Sequence, residues 1–207
     1  MKVQSFFTAD TISPISIPIL TSTGGEYAHV GLLFTVGYIE FLRLKSKYPC
    51  VLWHGVEKDP TGMVRFYFES RSTKDERTGK TGVRGPYPFK KLLDWESDSK
   101  HHKLELADMD VKNVEDMIPL LHRSTKNITY AFHQIWQNWM SFRWGRGVPW
   151  VKRSRTKWTC SETVVRICAI VDGDFACNTL KLGSHLFVEY APSSSKGGGI
   201  YEYLTKK

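Results

Sequence analysis

The sequence predicts an α+β protein, with antiparallel strands in its first half and helices in its second. Three observations carry this. Strand-type runs at 26–36, 50–54 and 63–69 follow one another through short connections, the last marked by a turn at 59–62, which favours antiparallel pairing. Val114, Met117, Ile118 and Leu121 recur at helical spacing. A polar segment ending in Trp158-Thr159-Cys160-Ser161-Glu162 runs into Val164, Val165, Ile167, Cys168, Ala169, Ile170 and Val171, the pattern of a loop entering a buried helix.

Element by element, Asp10 to Thr23 reads as an extended or short-helical lead-in, because Pro14 and Pro18 exclude a regular helix interior. Gly24-Gly25 turns the chain into a buried strand over Glu26–Val36. On that strand Tyr27, His29, Gly31 and Leu33 share one face, and Ala28, Val30, Leu32 and Phe34 the other. Phe41–Lys47 is ambiguous and ends at Pro49. Cys50–His54 predicts a second strand, Asp59-Pro60-Thr61-Gly62 a turn, and Met63–Glu69 a third strand with Arg65, Tyr67 and Glu69 on one face. Residues 70–88, rich in Gly and Pro, predict a surface loop. Phe89–Trp95 predicts a short helix and Leu104–Leu106 a strand. A helix follows from Val111, bent or interrupted at Pro119. Another is predicted over Asn127–Phe142, with Ile128, Phe132, Ile135, Trp136 and Trp139 as its apolar stripe. Asp172-Gly173-Asp174 ends the cysteine helix. Phe187–Tyr190 predicts a late strand, and Ser193–Gly199 a flexible loop.

The chain has 207 residues, enough for one domain with its own core, and neither a repeat nor a linker divides it. With 41% hydrophobic and 24% charged residues it reads as globular and soluble rather than disordered. No apolar run approaches the roughly 20 residues of a membrane span. Met1–Phe7 lacks a sustained apolar core, so no signal peptide is expected. Cys50, Cys160, Cys168 and Cys177 form no CxxC pair and read as free thiols. Zinc-ligand spacing and a glycine-rich phosphate loop are both missing, and no metal or cofactor is expected.

The net charge of +8 and pI near 9.3 favour an anionic partner. The charge concentrates at 143–157, where Arg143, Arg146, Lys152, Arg153, Arg155 and Lys157 occur without an acid. This basic loop is a candidate surface for nucleic acid or phospholipid.

The chemistry-bearing residues fall in the order His29, Glu69, Cys160. Either Thr159 or Ser161 can cap the cysteine helix. A thiol at that helix start meets free N–H groups that lower its pKa. A strand histidine could take its proton, and a carboxylate behind the imidazole could hold the ring and its charge. Glu40 rivals Glu69 for the third position because it lies nearer His29 in sequence. His54 is a weaker rival as base, because it lacks the glycine-following strand setting of His29. Tyr27 could donate a hydrogen bond near the site.

Tyr27-Ala28-His29-Val30-Gly31-Leu32 resembles the "SHVGI" strand of the circularly permuted NlpC-type cysteine hydrolases of the papain-like superfamily. Phe66-Tyr67-Phe68-Glu69-Ser70 is similar to their strand ending in "ES" or "EA". Thr81-Gly82-Val83-Arg84 with Pro88-Phe89-Lys90-Lys91-Leu92-Leu93 resembles their "GVR…PL…L" segment, and Trp158-Thr159-Cys160-Ser161-Glu162 their "CSE" helix start. Histidine before cysteine is the permuted order. The pattern spans residues 5–175, with Ala28 where the family often has Ser and a lengthened stretch at Gly37–Gly62. The resemblance implies an antiparallel, barrel-like sheet packed by helices. Cys160 would be the nucleophile at a helix N-terminus, His29 the base and Glu69 the orienting residue. It implies hydrolysis of an amide or ester bond in a peptide, a cell-wall peptide or an acyl lipid. Relatives in phages and large DNA viruses make a cytoplasmic or virion-associated protein the expectation.

Two other readings stand beside this one. A non-enzymatic virion or assembly protein on the same fold would bind an anionic partner through 143–157. A nucleic-acid-binding protein unrelated to the hydrolases is the third, but zinc-finger spacing and a readable recognition helix are both missing.

Overall fold

The computed structural model describes residues 1–132, 154–174 and 200–205. Five strands form its centre: β1 (Lys2–Asp10), β2 (His29–Gly37), β3 (Met63–Arg71), β4 (Gly82–Pro88) and β5 (His102–Asp108). They make one antiparallel sheet in the order β4-β3-β2-β1-β5. The α+β class therefore holds. β4 and β5 are the edges, so among the described strands the sheet is open rather than closed into a barrel.

Side-chain alternation divides the sheet into two faces. Val30, Leu32, Phe34 and Val36 of β2 join Val64, Phe66 and Phe68 of β3 in the larger apolar core. Helices α2 (Tyr38–Lys47), α4 (Met117–Asn127) and α5 (Cys160–Val171) contribute Phe41, Leu44, Met117, Ile118, Leu121, Val164 and Ile167 to it. Leu33 and Tyr67 face the other way, into a smaller cluster with Phe6, Tyr87, Phe89 and Leu92, the last two from α3 (Phe89–Ser97). Each large apolar side chain buried here stabilises the fold by about 1.5–3 kcal/mol relative to exposure.

Several expectations are corrected. Residues 2–10, read above only for a leader, form a central strand, with Val3, Phe6, Phe7 and Ala9 buried. Cys50–His54 is not a strand. Pro49 and Gly55 bracket a turn in which Val51 and Trp53 plug the core, and Trp53 Nε1 donates to the Tyr48 carbonyl at 3.3 Å. The final third of the expected 70–88 loop is β4. Two prolines are tolerated in it because it is an edge strand.

Pro119 does not interrupt its helix. A short 3-10 turn (Val114–Asp116) leads into α4, where Pro119 occupies the first turn and its missing N–H would have no partner. Pro18 sits likewise in the first turn of α1 (Ser16–Thr23). The ambiguous Phe41–Lys47 lies in α2.

The helix expected from Asn127 is overturned at its start. Asn127 ends α4, Ile128 is extended, and β6 (Thr129–Tyr130) pairs in parallel with β7 (Lys157–Trp158). The remainder of that helix from residue 133, the basic residues at 143–153, Cys177, the strand at 187–190 and the loop at 193–199 lie outside the described residues. Arg155 and Lys157 are exposed. A last helix, α6 (Ile200–Thr205), buries Ile200. Among the described residues no helix is long and apolar enough to cross a membrane.

Candidate active site

Cys160 is the first residue of α5 and is 5% exposed. Of the two caps the sequence allows, Thr159 acts. Its Oγ1 accepts from the Glu162 N–H at 3.3 Å, and Glu162 Oε2 accepts from the Thr159 N–H at 3.1 Å, a reciprocal capping box. The approach to the helix is pinned from two sides. The Trp158 carbonyl accepts from the Ala131 N–H at 3.1 Å and from Ser70 Oγ of β3 at 3.4 Å.

Gly82 makes this approach possible. It has φ +108°, and a Cβ there would lie 2.2 Å from the Ile128 carbonyl oxygen, so only glycine lets β4 run against the β6 segment. β6 in turn carries Tyr130, opposite Trp158 in register.

His29 opens β2, opposite Thr8 of β1. Its imidazole lies close enough to the Cys160 thiol for each to shift the other's ionisation. Its Nε2 lies 2.9 Å from Glu69 Oε2, which leaves Nδ1 for the sulfur. Gly31, next along the same face, has no Cβ because the Phe6 ring fills that space. A Cβ there would meet ring carbons at 2.3 and 2.4 Å. Phe6 thereby packs beside His29, with ring centroids 6.1 Å apart.

Glu69 faces Gly31 across the β2–β3 ladder and Arg84 across the β3–β4 ladder. It is 2% exposed, yet both oxygens are satisfied. Oε2 takes His29 and Arg71 Nε, the latter at 2.8 Å, while Oε1 takes Arg84 Nε at 2.9 Å and Nη2 at 2.8 Å. The structure thus brings His29, Glu69 and Cys160 together, from 131 residues apart in sequence, with Glu69 hydrogen-bonded to the imidazole and the thiol beside it.

The electrostatics follow from these contacts. Burial alone would push the Cys160 thiol up. Its hydrogen bond to His29, the imidazolium charge and N–H donors from Val30 and Ser161 outweigh that and lower it below the ordinary thiol range. Burial would likewise lower His29, but its bonds to the Cys160 sulfur and Glu69 raise it above the usual value. Both shifts move the proton from sulfur to imidazole. Burial opposes ionisation of Glu69, but Arg71, His29 and Arg84 hold it well below the usual carboxylate range. Cys168 has no such partner, and burial pushes its thiol up.

Rivals named from the sequence lie elsewhere. Glu40 sits on α2, 3.5 Å from the N-terminal amine and 4.0 Å from Arg43. His54 is exposed in the turn after Trp53. Tyr27 precedes β2, falls outside its alternation, and donates instead to Glu105 while packing against Phe7 and Tyr201. Conversely, sequence reading missed two neighbours of the thiol. Arg71 was legible as the next residue after Glu69 on the same strand face. Tyr130, close enough to Cys160 for their charges to interact, was hidden by a helix reading that began too early. Among the described residues no group of three or more His, Cys, Asp or Glu side chains is placed to hold a metal.

Comparison of the chain with protein-family models, with curated proteins and with solved structures finds no match.

Proposed function

We propose that the chain is a thiol hydrolase of the circularly permuted papain-like kind, cleaving an amide or ester bond. Cys160 is its nucleophile, His29 its general base and acid, and Glu69 the group that orients the imidazole. The observation that carries this is the placing of the Cys160 thiol, on the first residue of a capped helix, beside the His29 ring, which is itself hydrogen-bonded to buried, ionised Glu69.

The thiol proton passes to His29, and the thiolate attacks the scissile carbonyl carbon. The positive end of the α5 dipole, at which Cys160 sits, stabilises the developing oxyanion. The imidazolium returns its proton to the leaving amine or alcohol as the tetrahedral intermediate collapses to a thioester. Water, deprotonated by His29, then attacks the thioester carbon and releases the acid, and the proton returns to sulfur. Glu69 remains ionised throughout, because Arg71 and Arg84 hold its charge. Peptides, cell-wall peptides and acyl lipids are the substrate classes this chemistry serves.

Alkylation with iodoacetamide near neutral pH tests the proposal, with labelled peptides quantified by mass spectrometry. Cys160 should react faster than exposed Cys50, and His29→Ala should slow Cys160 by roughly a hundredfold, the scale of general-base assistance. A wild-type Cys160 no faster than Cys50 would overturn the reading.

A further inference from the structure

Resting on that reading, we infer that Arg71 makes the site selective for substrates bearing a carboxylate close to the scissile bond. The class is an acidic peptide or a free C-terminal carboxylate.

The two arginines beside Glu69 are used unequally. Arg84 is consumed. Its Nε and Nη2 both bind Glu69 Oε1, and Nη1 lies 3.4 Å from Thr73 Oγ1. Arg71 spends only Nε on Glu69, and among the described residues Nη1 and Nη2 have no protein acceptor. One carboxylate therefore faces two guanidinium groups, and the Cys160–His29 pair is neutral overall whichever atom holds the proton. One positive charge is left over, and it resides on Arg71.

Its position directs that charge at the thiol. The β2–β3 ladder pairs Gly31 with Glu69, and one step further in that register sets Arg71 beside His29. On the other side Arg71 pairs with Gly82, which has no side chain to cover it. The Arg71 side chain is 29% exposed, more than any other member of the cluster. It is also close enough to Cys160 for their charges to interact. A guanidinium edge offering two parallel N–H groups matches a carboxylate bidentately. A single unbalanced charge suits a monoanion rather than a phosphate dianion.

The test compares alkylation of Cys160 in the full chain by iodoacetate and by uncharged iodoacetamide. In both, the thiolate displaces iodide and forms a thioether, so only the reagent's charge differs. Cys50 serves as the internal reference. The acetate-to-acetamide rate ratio at Cys160 should exceed that at Cys50. Arg71→Gln should lower it roughly tenfold, the scale of one charged hydrogen-bonded contact, with Arg71→Lys between. A ratio unchanged in Arg71→Gln overturns the inference. If that variant does not fold, protection of the wild-type thiol from iodoacetamide decides. Glutarate should protect at lower concentration than glutaramide or inorganic phosphate. Equal protection by all three, or better protection by phosphate, overturns it. A Cys160 inert to both alkylating agents while Cys50 reacts overturns the hydrolase reading itself, and this inference with it.

Discussion

Replacing Glu69 by Gln keeps the side chain's shape and removes its charge from a position that is 2% exposed. Whichever way the new amide turns, its NH2 faces N–H donors, either His29 and Arg71 or the two Arg84 nitrogens. Removing one member of a buried charge cluster costs about 3–5 kcal/mol. Arg71 and Arg84 are 29% and 15% exposed and can recover some hydration, so the lower end, about 3 kcal/mol, is expected. For a chain of this size that lowers Tm by about 6–12 °C.

The loss should depend on pH. The folded pKa of Glu69 lies well below the ordinary 4.5. Its stabilisation is full above the unfolded carboxylate range and disappears as pH falls through the folded value. The gap between wild type and E69Q should therefore be widest near neutrality and close in acid, as read by urea denaturation at each pH. The chemistry should move as well. Without the carboxylate the imidazolium loses a stabilising charge, and the pH at which iodoacetamide reactivity of Cys160 rises should climb by about one unit or more. A variant whose reactivity profile overlays the wild type, with a stability gap that ignores pH, would refute the placement of Glu69 behind His29.

Two other substitutions test how the site is held. Gly31→Ala sets a Cβ 2.3 Å from the Phe6 ring and 2.8 Å from the Phe68 carbonyl oxygen. Because one obstacle is backbone, a loss towards the upper end of the usual 1–3 kcal/mol for overpacking is expected in urea denaturation, along with slower alkylation as Phe6 shifts against His29. Thr159→Ala removes one half of the capping box and should cost about 1 kcal/mol, while Thr159→Ser should restore most of it. Equal thermal midpoints for wild type and Thr159→Ala would show that the cap does not hold α5.

The parts of the site that were legible in the sequence are those written in local periodicity. Alternation placed Leu33 and Tyr67 on one face of the sheet and Val30, Leu32, Phe34, Phe66 and Phe68 on the other. The same alternation put His29 beside Gly31, and Glu69 on the face of Tyr67. The hydroxyl residues at 159 and 161, followed by the apolar run from Val164, carried the helix start, because a cap is closed within a few residues; that Thr159 closes it with Glu162 is a finding of the structure. What misled the reading was apolar content serving distant packing. Val51 and Trp53 looked like a strand but fill a core built by other elements. Ile128, the head of the expected stripe, looked helical, although it passes Gly82 in an extended path.

By itself, then, the sequence determined the strand faces, the start of the cysteine helix, and which thiol, imidazole and carboxylates were available. Only the tertiary structure decided that Glu69 and not Glu40 stands behind His29. It alone made β1 a central strand and brought Arg71 and Tyr130 to the sulfur. The physical reason is that backbone periodicity and capping are settled by neighbours a few residues away. The charge around Cys160, by contrast, depends on strand register and on segments more than a hundred residues apart.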